Sequence, residues 1–100
     1  MENLKQYLIE ETNKEIKEKE VEIEDSDKEL KILEAKLKVE EKLSETEDIP
    51  EEIKEDVKYS IMAIKDTISE EKGRNLGLRK ELKMLQVRKQ VINGFEVEEL

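Results

Sequence analysis

The sequence predicts an all-α protein that folds as a long antiparallel helical hairpin of the coiled-coil type. The only proline, Pro50, lies at the midpoint of the 100-residue chain. Apolar residues recur with helical spacing on both sides of it. Charged residues make up 47% of the chain and aromatic residues 3%, which is typical of long helices and too polar for a large globular core.

The chain is predicted to form one hairpin domain, residues 1–94, followed by a tail, residues 95–100. Proline lacks a backbone N–H and is tolerated only in the first turn of a helix. The first arm is therefore expected at about residues 2–46, the turn at 47–50 and the second arm at about 50–93. So short a connection makes two helices antiparallel neighbours. The alternative is a kink within one continuous rod.

Local signals support a helix start at the turn. Glu51 and Glu52 fall in the first turn of the second arm, where the helix dipole favours negative charge. Asp48 and Thr46 are both candidates for the residue that accepts a hydrogen bond from a free backbone N–H there. The choice of the N-cap position between Asp48 and Ile49 stays open at this point.

Isoleucine and leucine recur every seven residues along the first arm, which indicates a coiled-coil seam. The companion positions are mostly polar, so the seam is predicted to be thin before Leu30. Residues 26–29 fit a capping box and offer a break there, but one continuous helix is favoured because no glycine or proline interrupts this half. The seven-residue series is Ile9, Ile16, Ile23, Leu30 and Leu37, and the companions are Thr12, Lys19, Ser26 and Leu33.

Three-to-four spacing predicts an amphipathic second arm. The glycines at Gly73 and Gly77 leave two alternatives, a break in this arm or a continuous helix that tolerates them at about 1 kcal/mol each. Asn93 and Gly94 predict the end of the helix. The tail has an alternating apolar pattern that would suit docking, strand pairing or fraying. The stripe consists of Ile53, Val57, Ile61, Ile64, Ile68, Leu78, Leu82, Leu85 and Ile92.

The two arms carry blocks of opposite charge. Residues 72–89 hold seven cations and one acid, whereas residues 9–26 hold eight acids and three lysines. If residue i lies opposite residue 98 − i, these blocks face each other and help to select the antiparallel register. The same complementarity would serve a head-to-tail dimer.

The composition removes the commonest means of catalysis. The chain has no cysteine and no histidine, and it contains no glycine-rich phosphate-binding motif or nucleophile motif. Residues 25–27 begin like a calcium loop, but the glycine and the later glutamate are missing from their places. We expect a protein that is not an enzyme, with no catalytic residue, no cofactor and no metal site.

The sequence also predicts where the protein acts. No apolar run is long enough to span a bilayer, so no membrane association is expected. The first residues lack the basic flank and apolar stretch of a secretory signal. Together with the absence of cysteine, this favours an intracellular, cytoplasmic protein.

We expect a helical module that acts through protein–protein interaction, as an assembly, adaptor, chaperone-like or inhibitor subunit. Apolar residues outside the main stripe predict that two hairpins pair into a four-helix homodimer, and a further protein partner is left unidentified. The candidate surfaces are residues 59–64 and the tail. Their candidate residues are Tyr59, Met62, Ile64, Phe95, Val97 and Leu100.

Two alternatives involve nucleic acid. The acidic surface could mimic DNA and inhibit a nucleic-acid-binding protein, or a basic stripe within residues 72–89 could bind nucleic acid weakly. The net charge of −9 and the absence of aromatic residues interleaved with the cations disfavour direct binding. The stripe contributes the candidate residues Arg74, Arg79, Lys80, Lys83 and Arg88.

Overall fold

The structure, a computed structural model, describes residues 3–100, which form two long α-helices. Helix α1 spans Leu4–Ser44, helix α2 spans Glu51–Gly94, and a short 3₁₀ helix occupies Val97–Glu99. No strand occurs among the described residues. The two α-helices pack as an antiparallel hairpin, which confirms the predicted fold class.

The hairpin divides into two compact units, each with a piece of both helices. Unit 1 comprises the described part of Met1–Asp25 together with Leu76–Leu100, and unit 2 comprises Ser26–Asn75. Unit 2 therefore contains the turn, and unit 1 contains the 3₁₀ helix.

Helix α1 ends slightly earlier than predicted. The backbone N–H of Thr46 donates to the Leu43 carbonyl at 3.1 Å, and the Thr46 hydroxyl donates to the Lys42 carbonyl at 3.1 Å. The Ser44 hydroxyl donates to the Glu41 carbonyl at 2.6 Å. These bonds satisfy carbonyl groups that the end of a helix leaves without partners. Thr46 thus closes α1 instead of capping α2.

Helix α2 begins where the proline predicts. The Pro50 carbonyl accepts hydrogen bonds from the backbone N–H groups of Ile53 at 3.0 Å and Lys54 at 3.1 Å. Asp48 has a backbone φ of +66°, the left-handed conformation that aspartate tolerates better than most residues. The connection between the helices is therefore residues 45–50, with the left-handed residue at Asp48.

The buried faces of both helices follow the predicted spacing, except that Ile53 of the predicted α2 stripe is 44% exposed. Val57 and Ile68 are buried in unit 2, and Leu78 and Leu85 are buried in unit 1. The polar companion positions of α1 do not turn to solvent, because Thr12 and Ser26 are 8% and 1% exposed. The buried or half-buried seam of α1 is Ile9, Thr12, Ile16, Lys19, Ile23, Ser26, Leu30, Leu33, Leu37 and Glu40, and that of α2 is Val57, Ile61, Ile64, Ile68, Glu71, Asn75, Leu78, Leu82, Leu85, Lys89 and Ile92.

The break considered at Gly73–Gly77 is wrong, because α2 is continuous through both glycines. Neither glycine has a positive φ. Both lie off the buried stripe, which passes through Asn75. The stripe is uninterrupted there, so packing outweighs the low helix propensity of glycine. Helix α1 is likewise continuous through Ser26.

The tail is neither a strand nor an extension of α2. Helix α2 ends at Gly94, and the backbone N–H of Glu96 donates to a carboxylate oxygen of Glu99 at 2.7 Å. The backbone N–H of Glu99 in turn donates to the Glu96 carbonyl at 3.0 Å, which closes the 3₁₀ turn. The apolar side chains of the tail remain partly exposed, with Phe95 at 36%, Val97 at 53% and Leu100 at 36%.

Candidate interaction surfaces

A buried polar layer joins the helices in unit 2. The side-chain amide of Asn75 donates to the Ser26 hydroxyl oxygen at 3.0 Å and to a carboxylate oxygen of Asp27 at 2.8 Å. Both N–H groups of one amide are thereby used. Buried polar groups need partners, so this layer stabilises one alignment of the helices over those that would separate the three residues.

The observed register differs from the predicted one. The Asn75–Ser26 pair places residue i of unit 2 opposite about residue 101 − i. In unit 1, the Lys19 ammonium contacts the Glu81 carboxylate at 2.7 Å, which places residue i opposite about residue 100 − i. The prediction of 98 − i is therefore wrong by two or three residues, because the connection at 45–50 is not symmetric about the centre of pairing near residue 50 and lies on its α1 side.

The ion pair in unit 1 joins two residues whose charges are opposite in sign to the net charges of their own blocks. Lys19 belongs to the acidic block and Glu81 is the one acid of the basic block, yet these two form a contact across the helices. Lys19 also lies 3.6 Å from the Glu22 carboxylate. The hydrogen bond to Glu81 raises the pKa of the Lys19 ammonium above its usual value.

A groove of about 600 Å³ lies beside the seam of unit 2. On α1 its apolar lining is Ile32, Ala35 and Val39, with Ile32 and Val39 47% and 65% exposed. The charged residues Lys36 and Glu40 of α1 also border it. On α2 it is lined by Ser60 and Ile64. Side chains this apolar and this exposed mark a surface that association would cover.

Unit 1 has two smaller grooves bordered by glutamates of α1. One, of about 340 Å³, contains Glu15, Glu18 and Glu22 together with Met84 and Arg88 of α2. The other, of about 400 Å³, contains Glu11 and Glu15 of α1 with apolar residues on its floor. The apolar lining of this second groove is formed by Leu8, Val87, Val91 and Ile92.

The outer face of α2 in unit 1 is basic. A shallow depression of about 320 Å³ is lined by Lys80, Lys83 and Arg88 around the apolar side chains of Met84 and Val87. Met84 and Val87 are 49% and 44% exposed. Three of the five predicted basic residues therefore surround one apolar patch. Of the other two, Arg74 bonds to Glu71 at 2.9 Å, and Arg79 is exposed.

The residues of the predicted surface at 59–64 lie in two different places. Tyr59 and Met62 are 62% and 55% exposed, and they line a depression whose other walls are charged residues of α2. Ile64 is half-buried in the seam and lines the groove of unit 2 instead. Sequence reasoning did not select Ile32, Ala35 and Val39, although their spacing on a second face of α1 was a detectable signal.

Comparison with other proteins identifies no relative. The chain matches no known family, no curated protein and no solved structure at a significant level. In the part of the chain that the structure describes, no cluster of acidic side chains is arranged to hold a metal ion. Neither of the described long helices has an apolar stretch sufficient to cross a membrane.

Proposed function

We propose that the protein is a non-enzymatic helical interaction module that self-associates through unit 2. The observation that supports this proposal is the groove beside the seam, whose α1 wall includes the apolar residues Ile32, Ala35 and Val39. Removing apolar surface from water is favourable by roughly 25 cal/mol per Å². A narrow two-helix seam leaves this wall uncovered, so a further pair of helices would stabilise it.

The groove fits a second copy of the chain. Helix α2 of unit 2 presents small side chains at Ser60, Ala63 and Thr67, spaced to share one helical face. The Thr67 hydroxyl donates to the Ala63 carbonyl at 2.9 Å, which satisfies its polar group within the helix. Small residues on one helix allow close approach of larger ones. The larger residues are Ile32 and Val39 on α1 of the partner.

Such packing would give an antiparallel four-helix assembly. A two-fold axis parallel to the helices would lay α1 of each copy on α2 of the other, and each contact would occur twice. The proposed role is assembly or adaptor activity by the paired hairpins. The identity of any further protein partner does not follow from the residues.

Sedimentation velocity over a dilution series tests this proposal. We expect the wild-type chain to form a dimer, and Val39→Lys to shift it to monomer because a charge would be buried in the contact. The matched control is Val21→Lys, which alters an equally exposed valine of α1 in unit 1, at 56% exposure against 65% for Val39. A wild-type chain that stays monomeric at about 100 μM would contradict the proposal, because the association would then be weaker than about 5.5 kcal/mol.

A further inference from the structure

We infer, building on the proposed self-association, that charge sets the orientation of the dimer in unit 1: the acidic face of α1 packs on the basic outer face of the partner's α2. The inference concerns residues that the proposed function does not use. It distinguishes α1-on-α2 packing from α1-on-α1 and α2-on-α2 packing.

The acidic face is a continuous row on one side of α1. Glu11, Glu15, Glu18 and Glu22 follow one another at intervals of four, three and four residues, which keeps them on one helical face. They border the two grooves of unit 1. Glu11, Glu15 and Glu18 are exposed. One wall of these grooves is therefore strongly negative above an apolar floor.

The basic face lies on α2 at the same level. Lys80 and Arg88 are exposed on either side of Met84. The register of unit 1, taken from the Lys19–Glu81 pair, places Arg88 level with the stretch between Glu11 and Glu15 of α1. By the same register, Lys80 lies level with the stretch between Glu18 and Glu22.

A two-fold axis parallel to the helices preserves these levels between copies. It would bring the glutamate row of each copy over the cations of the other, with Met84, Val87 and Val91 covered between them. Packing α1 on α1 would instead oppose two acidic rows, and packing α2 on α2 would oppose two basic faces. Complementary potentials across an interface fix its orientation more than they raise its affinity.

The ion pair that joins the two helices of one hairpin in unit 1 does not involve the glutamate row or the cations of the basic face. The cross-helix contact of unit 1 joins Lys19 to Glu81, the minority charge of each block. Lys80 and Lys83 line a depression that contains no residue of α1. Arg88 borders that depression and also the two grooves that hold the glutamates of its own chain. The cations and the glutamates therefore border one side of the hairpin, where a second copy would meet both.

A charge-exchange experiment tests the orientation. One variant carries Glu15→Lys and Glu18→Lys, which cancels the net negative charge of the four-glutamate row while the outer face of α2 stays basic. The other carries Lys80→Glu and Arg88→Glu, so that both of its faces are acidic. Each variant alone should dimerise at least about tenfold more weakly than wild type, since several exposed pairs become repulsive. An equimolar mixture should recover dimerisation to within about threefold of wild type.

The matched control is Glu20→Lys with Glu24→Lys, which makes the same charge change on the opposite face of α1. It should dimerise as the wild type does, and circular dichroism should show that all variants stay helical. If either reversed variant dimerises normally, if the mixture remains monomeric, or if the control is equally weakened, the inference is overturned. A monomeric wild type contradicts the proposed function itself, whereas a dimer that is sensitive to Val39→Lys but indifferent to these reversals contradicts only the orientation.

Discussion

Asn75 and Ser26 are hydrogen-bonded to each other at 3.0 Å inside the hairpin, although 49 positions separate them along the chain. Taken separately, each residue lies in a stretch where the sequence left a helix break as an alternative. Read together, each supplies the polar partner that the other needs. This pairing explains how both helices continue through a polar layer.

Asn75→Ala should lower the free energy of unfolding by about 1–3 kcal/mol, because it leaves the buried Ser26 hydroxyl without its donor. Urea denaturation followed by circular dichroism measures the change. Gln90→Ala, at an exposed position of the same helix, serves as the control and should stay within about 0.5 kcal/mol of wild type.

Replacing the two buried members of the layer should behave differently, since the third member, Asp27, is only half-buried. Ser26→Ala combined with Asn75→Leu removes both polar partners, so stability should match or exceed that of wild type. The cost should appear as lost specificity of register or oligomeric state, which sedimentation detects. A single Asn75→Ala variant as stable as wild type would show that the layer does not hold the helices in register.

Gly73→Ala and Gly77→Ala should each raise the free energy of unfolding by about 0.5–1 kcal/mol. Both glycines are helical without a positive φ, and a Cβ atom at either position meets nothing within 4 Å. Gly94→Ala, at the last residue of α2, is the comparison and should gain less because helix ends fray. Thermal unfolding of the three variants ranks them. A loss of stability at position 73 or 77 would indicate that another molecule approaches the backbone there.

Asp48→Val should destabilise the hairpin by about 1–2 kcal/mol, because a β-branched residue disfavours the left-handed backbone that Asp48 adopts. Asp48→Gly should be neutral or stabilising for the opposite reason. Urea midpoints measure both changes, and Glu47→Val controls for a valine at an adjacent position of the connection. Equal effects at positions 47 and 48 would argue against a strained bend at Asp48.

Stability should fall at alkaline pH, partly through Lys19. Its pKa in the folded state is raised from 10.5 by the hydrogen bond to Glu81, so its contribution is complete below pH 10.5 and is lost as the pH rises through the folded-state value. The pKa of Tyr7 is raised from 10.0 by its hydrogen bond to Glu11, which acts in the same direction.

Urea titrations at about pH 9 and about pH 11.5 measure the alkaline loss. Glu81→Gln should reduce it, because the neutral amide no longer stabilises the charged ammonium of Lys19. NMR titration of the Lys19 side chain should show a lower pKa in that variant. An unchanged pKa would mean that the contact with Glu81 does not persist in solution.

The helices and the turn were predictable because their signals are local. The seven-residue spacing and Pro50 place the arms at about 2–46 and 50–93, against the observed Leu4–Ser44 and Glu51–Gly94. The register was not predictable, because it depends on how residues 45–50 bend. A turn that is symmetric about residue 49 would pair residue i with residue 98 − i. No local signal indicates the observed pairing in unit 2, where residue i lies opposite about residue 101 − i.

The surfaces were predictable only in part. Lys80, Lys83 and Arg88 form a basic face as expected, since residues of one helix determine it. The groove of unit 2 requires side chains from both helices, Ile32 and Val39 on one and Ile64 on the other. Such a surface depends on the alignment of the helices, which a single-helix pattern does not contain.

The Pro50 turn has a consequence for the order of folding. Bringing two residues together costs chain entropy that grows with the number of residues between them. Contacts beside the connection should therefore form first, and the Lys19–Glu81 contact, which closes a far longer stretch of chain, should form late. Asp48→Val should then slow refolding, whereas Glu81→Gln should mainly accelerate unfolding. Stopped-flow kinetics would separate the two effects, with the two ends of the hairpin controlling opposite arms of the chevron plot.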